Sequence, residues 1–115
     1  MQQEDDTRIP THLWVMAQVR RCNDGGQPAY VLRKGERMSG LVLVKLALLD
    51  GTAKVLVQQR DLDGRLGWML AKGDGPIAEP EADAYIARTI DRDPDLWVVE
   101  VEARDGLNPF EGTAI

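Results

Sequence analysis

The chain has 115 residues, 14 Lys+Arg against 19 Asp+Glu, a formal charge of −5, and a single Cys, His and Ser (Cys22, His12, Ser39). One domain is expected at this length, and the scarcity of Cys and His excludes an intrachain disulfide and Cys/His-ligated zinc, haem or iron–sulfur centres. A Ser-His-Asp triad would have to use Ser39 and His12 themselves, and the longest apolar stretches, near 13–17 and 46–49, fall far short of the roughly 20 residues that span a bilayer.

The start, MQQEDDTRIP, lacks the basic-then-apolar order of a signal peptide, so a cytoplasmic protein is expected, with residues 1–10 as a flexible acidic tail. Charge is uneven along the chain. Residues 1–60 carry nine Lys+Arg and six Asp+Glu, whereas residues 61–115 carry five and thirteen. A basic first half therefore meets an acidic second half, either within the fold or across to a partner.

Thr11 offers an N-cap to a helix over 11–24 in which Val15, Val19 and Cys22 recur at helical spacing, joined by Leu13, Trp14 and Met16. Gly25-Gly26 closes it. Pro28 leads into a short strand, 29–33. Two apolar runs, 41–49 and 52–59, flank Asp50-Gly51, a pair suited to a two-residue type I′ hairpin turn. That turn sets Leu48 opposite Ala53, Leu46 opposite Val55 and Val44 opposite Val57. Val42, Val44, Leu46, Leu48, Ala53, Val55 and Val57 then share one dry face, and Leu43, Ala47, Leu49 and Leu56 share the other with Lys45, Lys54 and Gln58.

Asp63-Gly64 turns the chain into a strand near 66–71, and Gly73-Asp74-Gly75-Pro76 is a loop. Pro80, Glu81 and Asp83 mark a helix start, and Ala82, Tyr85, Ile86, Thr89 and Ile90 form one apolar stripe. Asp93-Pro94 stops that helix. A last strand, 96–103, sets Trp97, Val99 and Val101 against Leu96, Val98, Glu100 and Glu102. Residues 107–115 read as a loose C-terminal tail, leaving one domain over 11–106. The order α-β-β-β-β-α-β predicts an α+β fold with a mainly antiparallel sheet of about five strands covered by two helices.

Asp91, Asp93, Asp95 and Glu102 occupy positions 1, 3, 5 and 12 of an EF-hand-like loop, but Leu96 stands where that loop needs Gly, and a strand follows where a helix should. Glu100 and Glu102 project from one side of a strand, the alternation of a solvated face. Arg20, Arg21, Arg33, Lys34 and Arg37 form a candidate anion-binding cluster. His12 and Cys22 sit ten residues apart on one helix, about 15 Å along its axis, too far for a thiol dyad. No catalytic residue, metal or cofactor is assigned.

Residues 93–106, DPDLWVVEVEARDG, resemble the signature of an uncharacterised bacterial family, domain of unknown function 1491. The likeness extends to LWVMAQVRRCNDGGQPAYVLRKG at 13–35, GLVLVKLALLDGTAKV at 40–55 and EADAYIARTIDRD at 81–93. It covers most of residues 11–106; the acidic N-terminal tail departs from it. The resemblance implies a small cytoplasmic protein of alpha-class proteobacteria and brings no activity, cofactor or site residue with it.

The expected function is a non-catalytic interaction module, binding a protein partner or a second copy through the partly apolar face at Leu43, Leu49 and Leu56 or through an exposed strand edge. Binding of nucleic acid or a phosphate ligand by the basic cluster is the second reading, with nucleic acid disfavoured by the net charge. A carboxylate-dependent enzyme built on Asp91, Asp93, Asp95, Glu100 and Glu102 is the third. No membrane association is expected.

Overall fold

The computed structural model describes residues 9–114; residues 1–8, most of the expected acidic tail, lie outside the described residues. The elements are α1 (Thr11–Asp24), β1 (Ala29–Arg33), β2 (Val42–Ala47), β3 (Thr52–Arg60), β4 (Leu66–Leu70), β5 (Ile77–Ala78), α2 (Glu79–Arg92), β6 (Trp97–Glu102) and β7 (Thr113–Ala114). The expected order holds, with two-residue strands β5 and β7 added. The sheet runs β1-β6-β2-β3-β4-β7, with β5 also paired to β3. Only β2–β6 and β4–β7 are parallel.

The helices cover opposite faces. Val15, Val19 and Cys22 of α1 pack on Val42, Val44, Leu46, Val99 and Val101, with Trp68, Trp97 and Phe110 completing that core. Ala82 and Ile86 of α2 pack on Leu43, Ala53, Val55 and Val98. With a helix on each side, β2 and β6 lie between two apolar layers and read as near-continuous apolar runs. The apolar stripe predicted for α2 is the face that it buries.

The hairpin departs from expectation by one residue. Leu48 N–H donates to Thr52 C=O at 3.1 Å, so the loop is Leu49-Asp50-Gly51, and Val44 stands opposite Leu56 rather than Val57. Three residues fit because Leu49 and Gly51 both take positive φ, 65° and 90°. Asp50 Oδ1 accepts from the N–H and hydroxyl of Thr52 at 2.9 and 2.6 Å, which holds the Asp50 carboxyl below its ordinary pKa. A slip of one residue turns a strand over. Ala53 and Val55 therefore face α2, and Leu56 packs on the α1 side.

Two further expectations are corrected. Thr11 is not the N-cap of α1: Pro10 takes that position without a side-chain cap, and the N–H groups of Thr11 and His12 donate to Met38 and Arg37 carbonyls at 3.2 and 2.8 Å. Residues 107–114 are no loose tail either. Phe110 is buried between Trp14 and Trp68, with ring centroids 6.0 and 6.2 Å away. Gln18 Oε1 accepts the Glu111 N–H at 3.2 Å, and Arg21 donates to the Pro109 carbonyl at 2.7 Å.

Candidate functional site

The C-terminal arm, the start of α1 and the loop before β2 border one groove. β3 continues to Arg60, paired with Leu66 of β4, after its pairing with β2 has ended at Val57 opposite Leu43. Beyond that point the far end of β3 faces the 38–41 loop. One lobe of about 530 Å³ is lined by Ile9, Thr11, Trp14, Gln58, Arg60, Arg65, Leu66, Glu111 and Gly112. A second, of about 490 Å³, adds Met38, Ser39, Gly40, Leu41, Val57 and Gln59 and shares Thr11, Gln58, Arg60 and Leu66 with the first.

Each wall is held by identifiable contacts. Glu36 Oε1 accepts the N–H groups of Met38 and Ser39 at 2.8 and 2.9 Å, and these bonds, Ser39's first, hold the Glu36 carboxyl below its ordinary pKa. Trp97 Nε1 donates to the Glu36 carbonyl at 2.7 Å. Gly40 has no room for a side chain: a Cβ there would stand 2.4 Å from the Asp95 carbonyl oxygen. Across the groove, Trp14 Nε1 donates to Glu111 Oε1 at 3.4 Å, and the Trp14 ring stacks at 6.3 Å on Trp68. The groove is thus a preformed feature with an aromatic wall, two guanidinium groups and an apolar rim.

The residues singled out in the sequence are placed otherwise. Leu43 is 1% exposed beneath α2, Leu56 packs half-buried on the opposite face, and Leu49 is exposed at the hairpin tip. They form no common surface, because the one-residue slip separates Leu43 from Leu56. The basic residues are dispersed as well. Arg20 pairs with Asp24 at 3.6 Å, Arg21 holds the C-terminal arm, and Arg33 donates to the Pro94 carbonyl at 2.8 Å. Lys34 is exposed. Arg37 donates to His12 Nε2 at 3.2 Å, one end of a helix away from Arg21.

The carboxylates do not converge. Asp93 Oδ1 accepts the Asp95 N–H at 3.2 Å, closing a turn. Glu102 accepts the Tyr30 hydroxyl proton at 2.9 Å, a bond that raises the Tyr30 pKa. Glu100 turns toward Lys45 at 3.4 Å, so this side of β6 is not the plain solvated face expected. Among the described residues no cluster of three or more His, Cys, Asp or Glu is placed to hold a metal ion. Cys22 is buried, and burial raises its thiol pKa against the lowering effect of Arg21. Its side chain packs in the core beneath α1. The groove itself escaped sequence reasoning, since its lining comes from five separate stretches of chain; the one local signal was apolar residues, Met38 and Leu41, in a loop.

Among the described residues no helix is long and apolar enough to cross a membrane. The fold defines a small single-domain α+β protein. The model of a protein family of unknown function, DUF1491, matches residues 9–111, and the chain belongs to that family. It is similar to a DUF1491 family protein from Caulobacter crescentus CB15. The crystal structure of that protein superposes with a TM-score of 0.83 at 38% identity, covering 94% of this chain and 100% of that one. An NMR structure of a DUF1491 family protein from the same organism gives 0.79 at 39% identity over 93% and 96%. Protein Atu0922 from A. tumefaciens is also similar, with a TM-score of 0.66 at 27% identity over 84% and 86%. No curated protein matches the chain.

Proposed function

We propose that this is a non-catalytic cytoplasmic interaction module that takes a segment of a protein partner into the groove between α1, the 38–41 loop and the end of β3. The supporting observation is the exposure of Ile9, Met38 and Leu41, at 56%, 60% and 49%, all three lining this one groove. Large apolar side chains left in water around a concave surface are the mark of a docking site.

Affinity purification of the tagged protein from its own cells, with a photo-crosslinking residue at position 38, tests the proposal. A discrete protein crosslinked at 38 and lost on Leu41→Asp supports it. The control is Leu62→Asp, at a fully exposed leucine that lines neither lobe, which should leave capture intact. Equal capture by both variants, or a monomer with no crosslinked partner, overturns it.

A further inference from the structure

We infer that the segment taken by the groove is acidic and extended, its carboxylates held by Arg60 and Arg65 while its backbone lies beside the free end of β3; this rests on the groove being the docking surface. Arg60 and Arg65 line the same lobe. Neither takes part in an ion pair among the described residues. Arg60 spends one N–H on the Gly64 carbonyl at 2.8 Å, leaving the rest of its fork. The carboxylate in that lobe, Glu111, accepts from Trp14. The lobe therefore carries excess positive charge in a protein whose total is −5, and a guanidinium fork matches a carboxylate with two parallel hydrogen bonds.

The backbone supplies the second half of the argument. Gln58, Gln59 and Arg60 pair with Trp68, Gly67 and Leu66 on one side, whereas pairing with β2 has ended. An incoming strand laid in the second lobe meets main-chain groups that no strand among the described residues occupies, the geometry of β-strand addition. In an extended segment, residues two apart share a face and stand about 7 Å apart. Acidic residues aimed at the arginines and apolar ones aimed at Met38 and Leu41 describe a short sequence in which the two kinds are interspersed.

The probe is a labelled ten-residue peptide alternating Glu with Leu and Val, compared with the same peptide carrying Lys for Glu, titrated against the full chain by fluorescence anisotropy. The Glu peptide should bind and the Lys peptide should not. The double variant Arg60→Glu/Arg65→Glu should weaken the Glu peptide at least tenfold and admit the Lys peptide. Both arginines are exposed, and circular dichroism of the variant, with Arg60→Gln/Arg65→Gln beside it, separates lost binding from lost fold. No binding of the Glu peptide, or binding that the reversals leave unchanged, overturns the inference. So does binding that emerges only when residues 1–8 are deleted, which assigns the groove to the chain's own Glu4-Asp5-Asp6, and so does a dimer that the reversals dissociate. If Leu41→Asp abolishes capture of the cellular partner while the arginine reversals spare it, the docking surface stands and its acidic preference falls.

Discussion

Lys45 Nζ lies 2.8 Å from Asp83 Oδ1 and thereby ties α2 to the central strand β2. Glu79 Oε2 at 2.7 Å and Glu100 Oε1 at 3.4 Å complete the cluster, so here the basic half of the chain does meet the acidic half. Lys45 is only 4% exposed, but its acidic partners reach water. Replacing it with Met keeps the stem and removes the charge. The carboxylates can then rehydrate, so the expected loss is about 1–3 kcal/mol, below that of a fully buried broken pair. Asp83→Asn should cost less, since Glu79 and Glu100 remain. Urea unfolding of the two variants checks the order.

The same cluster sets an alkaline limit. Burial pulls the Lys45 pKa down, but hydrogen bonds to Asp83 and Glu79 and the charge of Glu100 outweigh it, leaving the ammonium above its ordinary value. A group whose folded pKa is raised stabilises fully below its unfolded pKa, about 10.4, and loses that contribution as pH rises toward the folded value. Wild-type stability should therefore fall above about pH 10 more steeply than that of Lys45→Met. Parallel slopes in alkaline urea titrations would show that Lys45 contributes nothing there.

Phe110 fastens the C-terminal arm by filling the space between Trp14 and Trp68. Its removal leaves a cavity walled by two indoles and frees the arm that carries Glu111. Phe110→Ala should cost about 3–5 kcal/mol, the range for a buried aromatic. Tryptophan fluorescence should shift to the red as the two indoles gain water, and denaturant unfolding gives the free energy.

Period and punctuation carried the element order: the stripe on α2, the Gly25-Gly26 stop and the alternation in β6 are local features that a reader of the chain can see. What escaped was non-local. Phe110 stands alone among Gly, Asn, Pro and Glu, so no periodicity announces that it is core. Lys45 was legible as a polar residue on a strand, but its burial depends on three carboxylates 34, 38 and 55 positions away. The hairpin turned on one backbone angle. Asp-Gly favours a two-residue turn, whereas a leucine at positive φ is something that the sequence gives no reason to expect.

That angle is itself testable. Leu49, at φ 65° and 44% exposed, bears a left-handed conformation with much of its side chain in water. Asparagine tolerates that region better, so Leu49→Asn should raise stability by about 0.5–1 kcal/mol. The melting temperature should rise with the register unchanged, as read from cross-strand NOEs between Lys45 and Val55. A fall in stability would mean that the leucine side chain makes contacts worth more than the strain.

The 36–41 loop should respond to acid. Glu36 closes it by accepting the N–H groups of Ser39 and Met38, and these bonds keep its carboxyl below the ordinary range. A lowered folded pKa contributes stability above the unfolded value, about 4.3, and loses it as pH falls through the folded one. Protonation, or Glu36→Gln, removes the charge that strengthens both bonds. Hydrogen exchange at the Met38 and Ser39 amides should then quicken relative to the β2 amides while the sheet stays intact. Because Met38 and Leu41 line the groove, binding of the acidic probe peptide should weaken in Glu36→Gln at neutral pH, and in the wild type only as pH falls below the ordinary carboxylate range. Protection of these two amides that is identical in Glu36→Gln and wild type, from neutral pH to about pH 3, would mean that the loop is held by the Thr11 and Trp97 contacts alone.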